Sequence, residues 1–223
     1  KHVTVLFADI RGSLELLDGR DPEEARALLD PALHTMMEAV HRYEGTVNQV
    51  LGDGVMALFG APLAHEDHAL RACYAALRMQ EAMRGYADEV RRKHGLNLQV
   101  RVGLNSGEVV VRAIGNDLSM EYSAVGETTH LAARMEQLAT PGTVLATQTV
   151  ARLAGDYLQL NALGPVPVRG RTEPVEVFEV AGTTATRTRL QAAVVKGLTP
   201  FVGRSAELTT LGSLLNRTKA GAG

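Results

Sequence analysis

The tightest constraint on this chain is a pair of apolar runs joined by a glycine-flanked aspartate. Thr46–Val50 and Val55–Phe59 are separated by Leu51-Gly52-Asp53-Gly54. Runs this rich in β-branched and apolar residues, joined by so short a glycine-containing segment, specify a β-hairpin. Upstream, Val3–Ala8 reads as a buried strand. A helix is predicted from about Asp21, which serves as N-cap ahead of Pro22, with Glu23 and Glu24 in the first turn. Pro31 is expected to interrupt or kink that helix and Gly45 to stop it. A second long helix is predicted over Glu66–Lys93, ended by Gly95. Leu98–Asn105 alternates as a strand, and Glu108–Ile114 is predicted as its partner after Ser106-Gly107. Gly126–Leu138 reads as a third helix, and Thr143–Ala146 and Glu176–Val180 as short strands. This order predicts an α+β fold with a ferredoxin-like βαββαβ core, a mixed sheet with helices on one face.

Composition excludes several functions. The 223 residues are 45% hydrophobic and 22% charged with net charge −2, so no general attraction to nucleic acid or anionic lipid is expected. A single cysteine, Cys73, leaves no internal disulfide and fits a reducing, cytoplasmic setting. No apolar run approaches membrane-spanning length, and no signal peptide is expected. The chain opens directly into a strand, as a fragment of a longer protein would. Three segments are expected: a first domain over 1–182, a linker over 183–197 whose opening Thr183–Arg189 is small, polar and basic, and the start of a further module over 198–223.

Asp9 ends the first strand, before Ile10 and the turn Arg11-Gly12-Ser13, and Asp53 occupies the hairpin tip. Alone, Asp9 reads as a helix N-cap and Asp53 as a turn residue. Brought side by side, the two carboxylates would hold divalent cations against a polyphosphate. His65-Glu66-Asp67-His68 has adjacent spacing that suits no metal template and reads instead as the start of the second helix.

Four blocks in order then carry a resemblance. Phe7-Ala8-Asp9-Ile10, Leu51 through Phe59, Arg101 through Glu108, and Glu121 through Glu136 resemble the signature blocks of class III nucleotidyl cyclases. The resemblance implies that Asp9 and Asp53, with the Ile10 carbonyl, bind two Mg²⁺ or Mn²⁺ ions. It implies that Arg11, Gly12 and Ser13 offer backbone N–H groups to phosphates, that Arg101 faces the phosphates, and that Arg134 stabilises charge building on the α-phosphate. Arg169 matches a phosphate-binding lysine of the family. In the head-to-tail homodimer that the family uses, one protomer gives Asp9, Asp53 and Arg101. The other gives Gln49, Ser123, His130, Arg134 and Arg169.

Gln49 and Ser123 fall at the two base-selecting positions and match neither the adenylate nor the guanylate pattern. Glutamine serves either base, and serine resembles the threonine of some adenylate cyclases, which favours ATP over GTP. His130 replaces the ribose-orienting asparagine. Competing expectations are a guanylate cyclase and a weakly active dimerisation module that regulates an attached ATPase, the latter motivated by Gln49, Ser123 and His130. The ATPase itself is expected because residues 198–215 resemble the opening of an AAA-type ATPase.

Overall fold

The structure, a computed structural model, describes residues 1–11, 13, 21–114, 121–169, 171–186, 191, 194, 203–219 and 221, with backbone alone for 22, 111–114 and 121–125. Gly12, the Ser123 and Arg112 side chains, and residues 198–202 of the ATPase-like stretch therefore lie outside the described residues. The chain divides into Lys1–Ala185 and Thr186–Gly223.

In the first unit the elements run β1 (His2–Arg11), α1 (Pro22–Arg42), β2 (Thr46–Leu51), β3 (Gly54–Phe59), α2 (His68–His94), β4 (Gln99–Glu108), β5 (Val110–Ile114), β6 (Glu121–Val125) and α3 (Glu127–Leu138). They continue with β7 (Val144–Thr147), α4 (Gln148–Ala154), β8 (Leu158–Val166) and β9 (Val175–Thr183). Seven strands form one sheet in the order β2-β3-β1-β4-β7-β9-β8. It is mixed: β1 is antiparallel to β3 and β4, and β4 is parallel to β7. The first six elements are the predicted βαββαβ core, and β1 lies at its centre because it is apolar on both faces.

Those two faces are covered by different helices. Leu6, Ala8 and Ile10 of β1 pack with Met36 of α1 and Met79 of α2, while Val3 and Val5 pack with Ala132 of α3. Helices on one face therefore describes α1 and α2, whereas α3 lies on the opposite face. The contact of α3 with the sheet is very close. A Cβ built on Gly103 of β4 would stand 2.0 Å from the Glu136 backbone N and 2.4 Å from the Ala132 carbonyl oxygen. Neither backbone atom can move aside, so Gly103→Ala is expected to cost more than about 3 kcal/mol. Urea unfolding checks this; a loss under about 1 kcal/mol would mean that the helix shifts freely on the sheet.

Several local expectations are corrected. Helix α1 continues through Pro31 to Arg42. Its end is made by Glu44, which takes the left-handed conformation at φ 59°. Gly45 serves packing instead: a Cβ there would stand 2.6 Å from the Phe59 ring. Helix α2 begins at His68 rather than Glu66 and ends on Gly95 at φ 71°, as the sequence indicates. Its N-cap residue Asp67 makes no side-chain cap bond and pairs with Arg71 at 2.7 Å. His65 pairs with Glu44, and His68 is buried against the Thr4 hydroxyl. Among the described residues no group of three or more His, Cys, Asp or Glu could hold a metal ion. Strand β5 pairs with β6, not with β4. Strand β4 is paired along its length by β1, and on its other edge by β7 over Val102–Leu104.

No helix among the described residues is long and apolar enough to cross a membrane. Cys73 is fully buried, which pushes its thiol up to about 12 and leaves it without thiolate character. In the second unit, α5 (Ser205–Lys219) is exposed along its whole length.

Candidate active site

Asp9 sits in a row across three strands: its partner is Gly54 on β3 and Arg101 on β4. Cross-strand partners share a sheet face, so Asp9 and Arg101 project together, on the face that α3 covers. Arg101 Nη2 donates to Asp9 Oδ2 at 2.7 Å. The glycine at 54 lets the hairpin close in, since a Cβ there would stand 2.8 Å from the Ala8 carbonyl oxygen and 3.3 Å from Asp9 Oδ1.

Leu51 and Gly52 at the hairpin tip are exposed, but Asp53 is tied back onto β1. Ile10 N–H donates to the Asp53 carbonyl at 3.3 Å. The Ser13 hydroxyl donates to Asp53 Oδ2, and Asp53 is half-buried. Asp9 and Asp53 therefore stand beside each other. The Asp9 carboxyl is raised above its usual range, first by burial and also by the Asp53 charge, with Arg101 pulling the other way. The donors gathered here are hard oxygens, and a cation would relieve the repulsion between them. The residues present thus fit Mg²⁺ or Mn²⁺.

A third carboxylate, Glu136 of α3, completes the cluster, and no role was assigned to it from sequence. Its Oε1 lies 2.8 Å from Arg101 Nη2. Burial raises its carboxyl to about 7 against the pull of Arg101, with the Asp9 and Asp53 charges adding to the rise. The sequence does carry a signal for it. Glu136 is four residues after Ala132 and next to Met135, both fully buried, so a charge interrupts the apolar stripe of α3 opposite a glycine.

In metal-free protein Glu136 gives a signed pH dependence. Burial raises its carboxyl from 4.5 in the unfolded chain to about 7 in the fold. Between those values only the folded state holds the proton, so this group's contribution is complete below 4.5 and is lost as pH rises through about 7. Glu136→Gln lacks this loss. Relative to wild type it is expected to gain about 3 kcal/mol of stability from about pH 4 to about pH 8. Urea melts across that range test it, and a constant difference would contradict the shift.

The remaining candidates lie elsewhere. His130, Arg134 and Arg169 line a cavity of about 750 Å³, beside Glu127, Gln137 and Arg171. Arg134 Nη1 donates to Gln137 at 2.5 Å, and Arg171 Nη1 to Glu127 at 2.5 Å. Arg134 and Glu136 are two residues apart on α3, which turns their side chains to different sides: Glu136 to the sheet, Arg134 to this cavity. Arg11 and Gln49 are exposed, the latter on β2, and Ser123 lies on β6, paired with Arg112 of β5.

The model of the adenylate and guanylate cyclase catalytic domain matches residues 1–182. Over 185 residues, 82% of the chain, the sequence is 33% identical to Adenylate cyclase 1 of Rhizobium meliloti (strain 1021). The adenylyl cyclase CyaB from P. aeruginosa superposes with a TM-score of 0.78 at 29% identity, covering 84% of this chain and 97% of that one. The guanylyl cyclase Cya2 superposes with a TM-score of 0.75 at 33% identity, covering 83% and 94%. The fold is thus that of nucleotide-cyclase domains. The chain belongs to the adenylate and guanylate cyclase catalytic domain family. It spans 28% of the Rhizobium meliloti relative and 34% of a mycobacterial one, Rv1318c.

Proposed function

We propose that this domain converts ATP to 3′,5′-cyclic AMP and pyrophosphate in a head-to-tail homodimer. The observation that carries the reading is the meeting of Asp9 and Asp53, 44 positions apart in the chain, at the end of the central strand. Asp9, Asp53 and the Ile10 carbonyl would hold Mg²⁺ or Mn²⁺. Two such ions, when bound, ease removal of the ribose 3′-hydroxyl proton and offset the triphosphate charge. The 3′-oxygen bonds to the α-phosphorus in line, the bond from that phosphorus to the pyrophosphate oxygen breaks, and the proton passes to solvent.

Within this reading the chain's own residues orient and neutralise. Arg134 from the second protomer meets charge on the α-phosphate, and its neighbour Gln137 holds the guanidinium fork in the cavity. Arg169, on the same cavity, takes the terminal phosphates, and Arg11, Gly12 and Ser13 would offer backbone N–H groups to them. His130 orients the ribose. Gln49 and Ser123 contact the base. The dimer is supported by the division of these residues between two places on one chain, since a cavity bearing Arg134 apart from the carboxylates is completed by a second copy. In a longer protein the domain would feed or govern an attached ATPase module beginning near residue 198.

GTP is the second reading, favoured by the 33% identity to a guanylyl cyclase. Turnover of purified protein with Mn²⁺ and either ATP or GTP, with products resolved by chromatography, decides between them. Cyclic AMP at least about tenfold over cyclic GTP, a difference of about 1.4 kcal/mol, is expected. A reversed ratio would assign the base pocket to guanine, and no product from either at concentrations where dimer is verified would overturn the enzymatic reading.

A further inference from the structure

We infer that Glu136 is a positioning residue that receives Arg101 when Arg101 releases Asp9, and so sets how readily Asp9 takes a divalent cation. The inference rests on the paired-carboxylate reading above. One nitrogen, Arg101 Nη2, lies 2.7 Å from Asp9 Oδ2 and 2.8 Å from Glu136 Oε1. An Asp9 oxygen that accepts from arginine is not free for a cation, so loading the site requires Arg101 to move off. A partly buried guanidinium left without a carboxylate would be strongly disfavoured.

The pair already holds an unmade bond for that move. Arg101 Nε and Glu136 Oε1 are both buried and without a hydrogen-bond partner among the described residues. The Arg101–Glu136 pair is therefore close in distance but poorly aligned. A small rotation of the guanidinium away from Asp9 lets two of its N–H groups meet the Glu136 carboxylate as a fork. Glu136 is well placed to receive it. Its backbone N packs against Gly103, two residues along β4 from Arg101, closely enough that no side chain fits between.

The test is a Mn²⁺ titration of the dimeric protein without nucleotide, reading free Mn²⁺ by electron paramagnetic resonance, with a thermal melt on each variant. Glu136→Gln is expected to weaken Mn²⁺ binding about fivefold or more when Arg101 is present, and less than about twofold in an Arg101→Met background. Equal weakening in both backgrounds would show that Glu136 acts only as a nearby charge, and would overturn the inference. Glu136→Asp keeps the charge but shortens the reach, so it is expected to weaken binding as Gln does; wild-type affinity in that variant would by itself overturn the inference. Asp9→Asn separates the two levels. If it leaves Mn²⁺ binding unchanged, the paired-carboxylate reading falls, and this inference with it. If it abolishes binding while the Glu136 effects are additive with Arg101→Met, only the inference falls.

Discussion

Asp53→Ala is expected to lower cyclic-nucleotide formation by at least about 10³-fold, roughly 4 kcal/mol of transition-state stabilisation, while leaving the fold in place. Asp53 contributes little to packing. It is half-buried at the tip of the β2–β3 hairpin, held by the Ser13 hydroxyl, and its charge works against the neighbouring Asp9 carboxylate. Losing one hydrogen bond and one repulsion together should change stability by less than about 1 kcal/mol. Product chromatography with Mn²⁺ and ATP, beside a urea melt, measures both quantities. Near-normal metal-dependent turnover in the variant would sink the two-carboxylate assignment. A collapsed melt would mean that the hairpin tip is structural.

Mixing two inactive chains is expected to restore activity. Asp53→Ala removes a carboxylate on the sheet, and Arg134→Ala removes a guanidinium on the cavity side of α3. Each homodimer is spoiled at both sites. With free exchange, half the dimers pair unlike chains, and in each of these one site carries both lesions and the other none. An equimolar mixture should therefore recover about a quarter of wild-type turnover. No recovery, with exchange verified by a tagged chain, would place Arg134 and Asp53 in the same protomer's site and remove the head-to-tail dimer from the reading. The result is independent of nucleotide preference, so it separates assembly from specificity.

What the sequence could and could not disclose follows from range. The hairpin at Gly52-Asp53, the α1 start at Asp21-Pro22 and the α2 end at Gly95 are all set by neighbours within a few residues, and were legible. Strand β8 was not. Most of its residues are exposed, so the edge strand shows no core alternation. The partner of β5 was misread for a different reason. Pairing depends on which edges other strands have already taken: β1 holds one edge of β4 along its length and β7 the other over Val102–Leu104.

By itself the sequence determined the βαββαβ order, the family through four ordered blocks, and the presence of Asp9 and Asp53, because periodicity, turn chemistry and motif spacing are local properties. Only the tertiary structure decided that α3 lies on the sheet face opposite α1 and α2. With that placement Glu136 reaches Arg101 and Asp9, while Arg134, two residues earlier, turns away to a separate cavity. The physical reason is the glycine at 103: a strand with no Cβ at that point lets a helix backbone close onto it, and carries a charge from the helix into the carboxylate cluster.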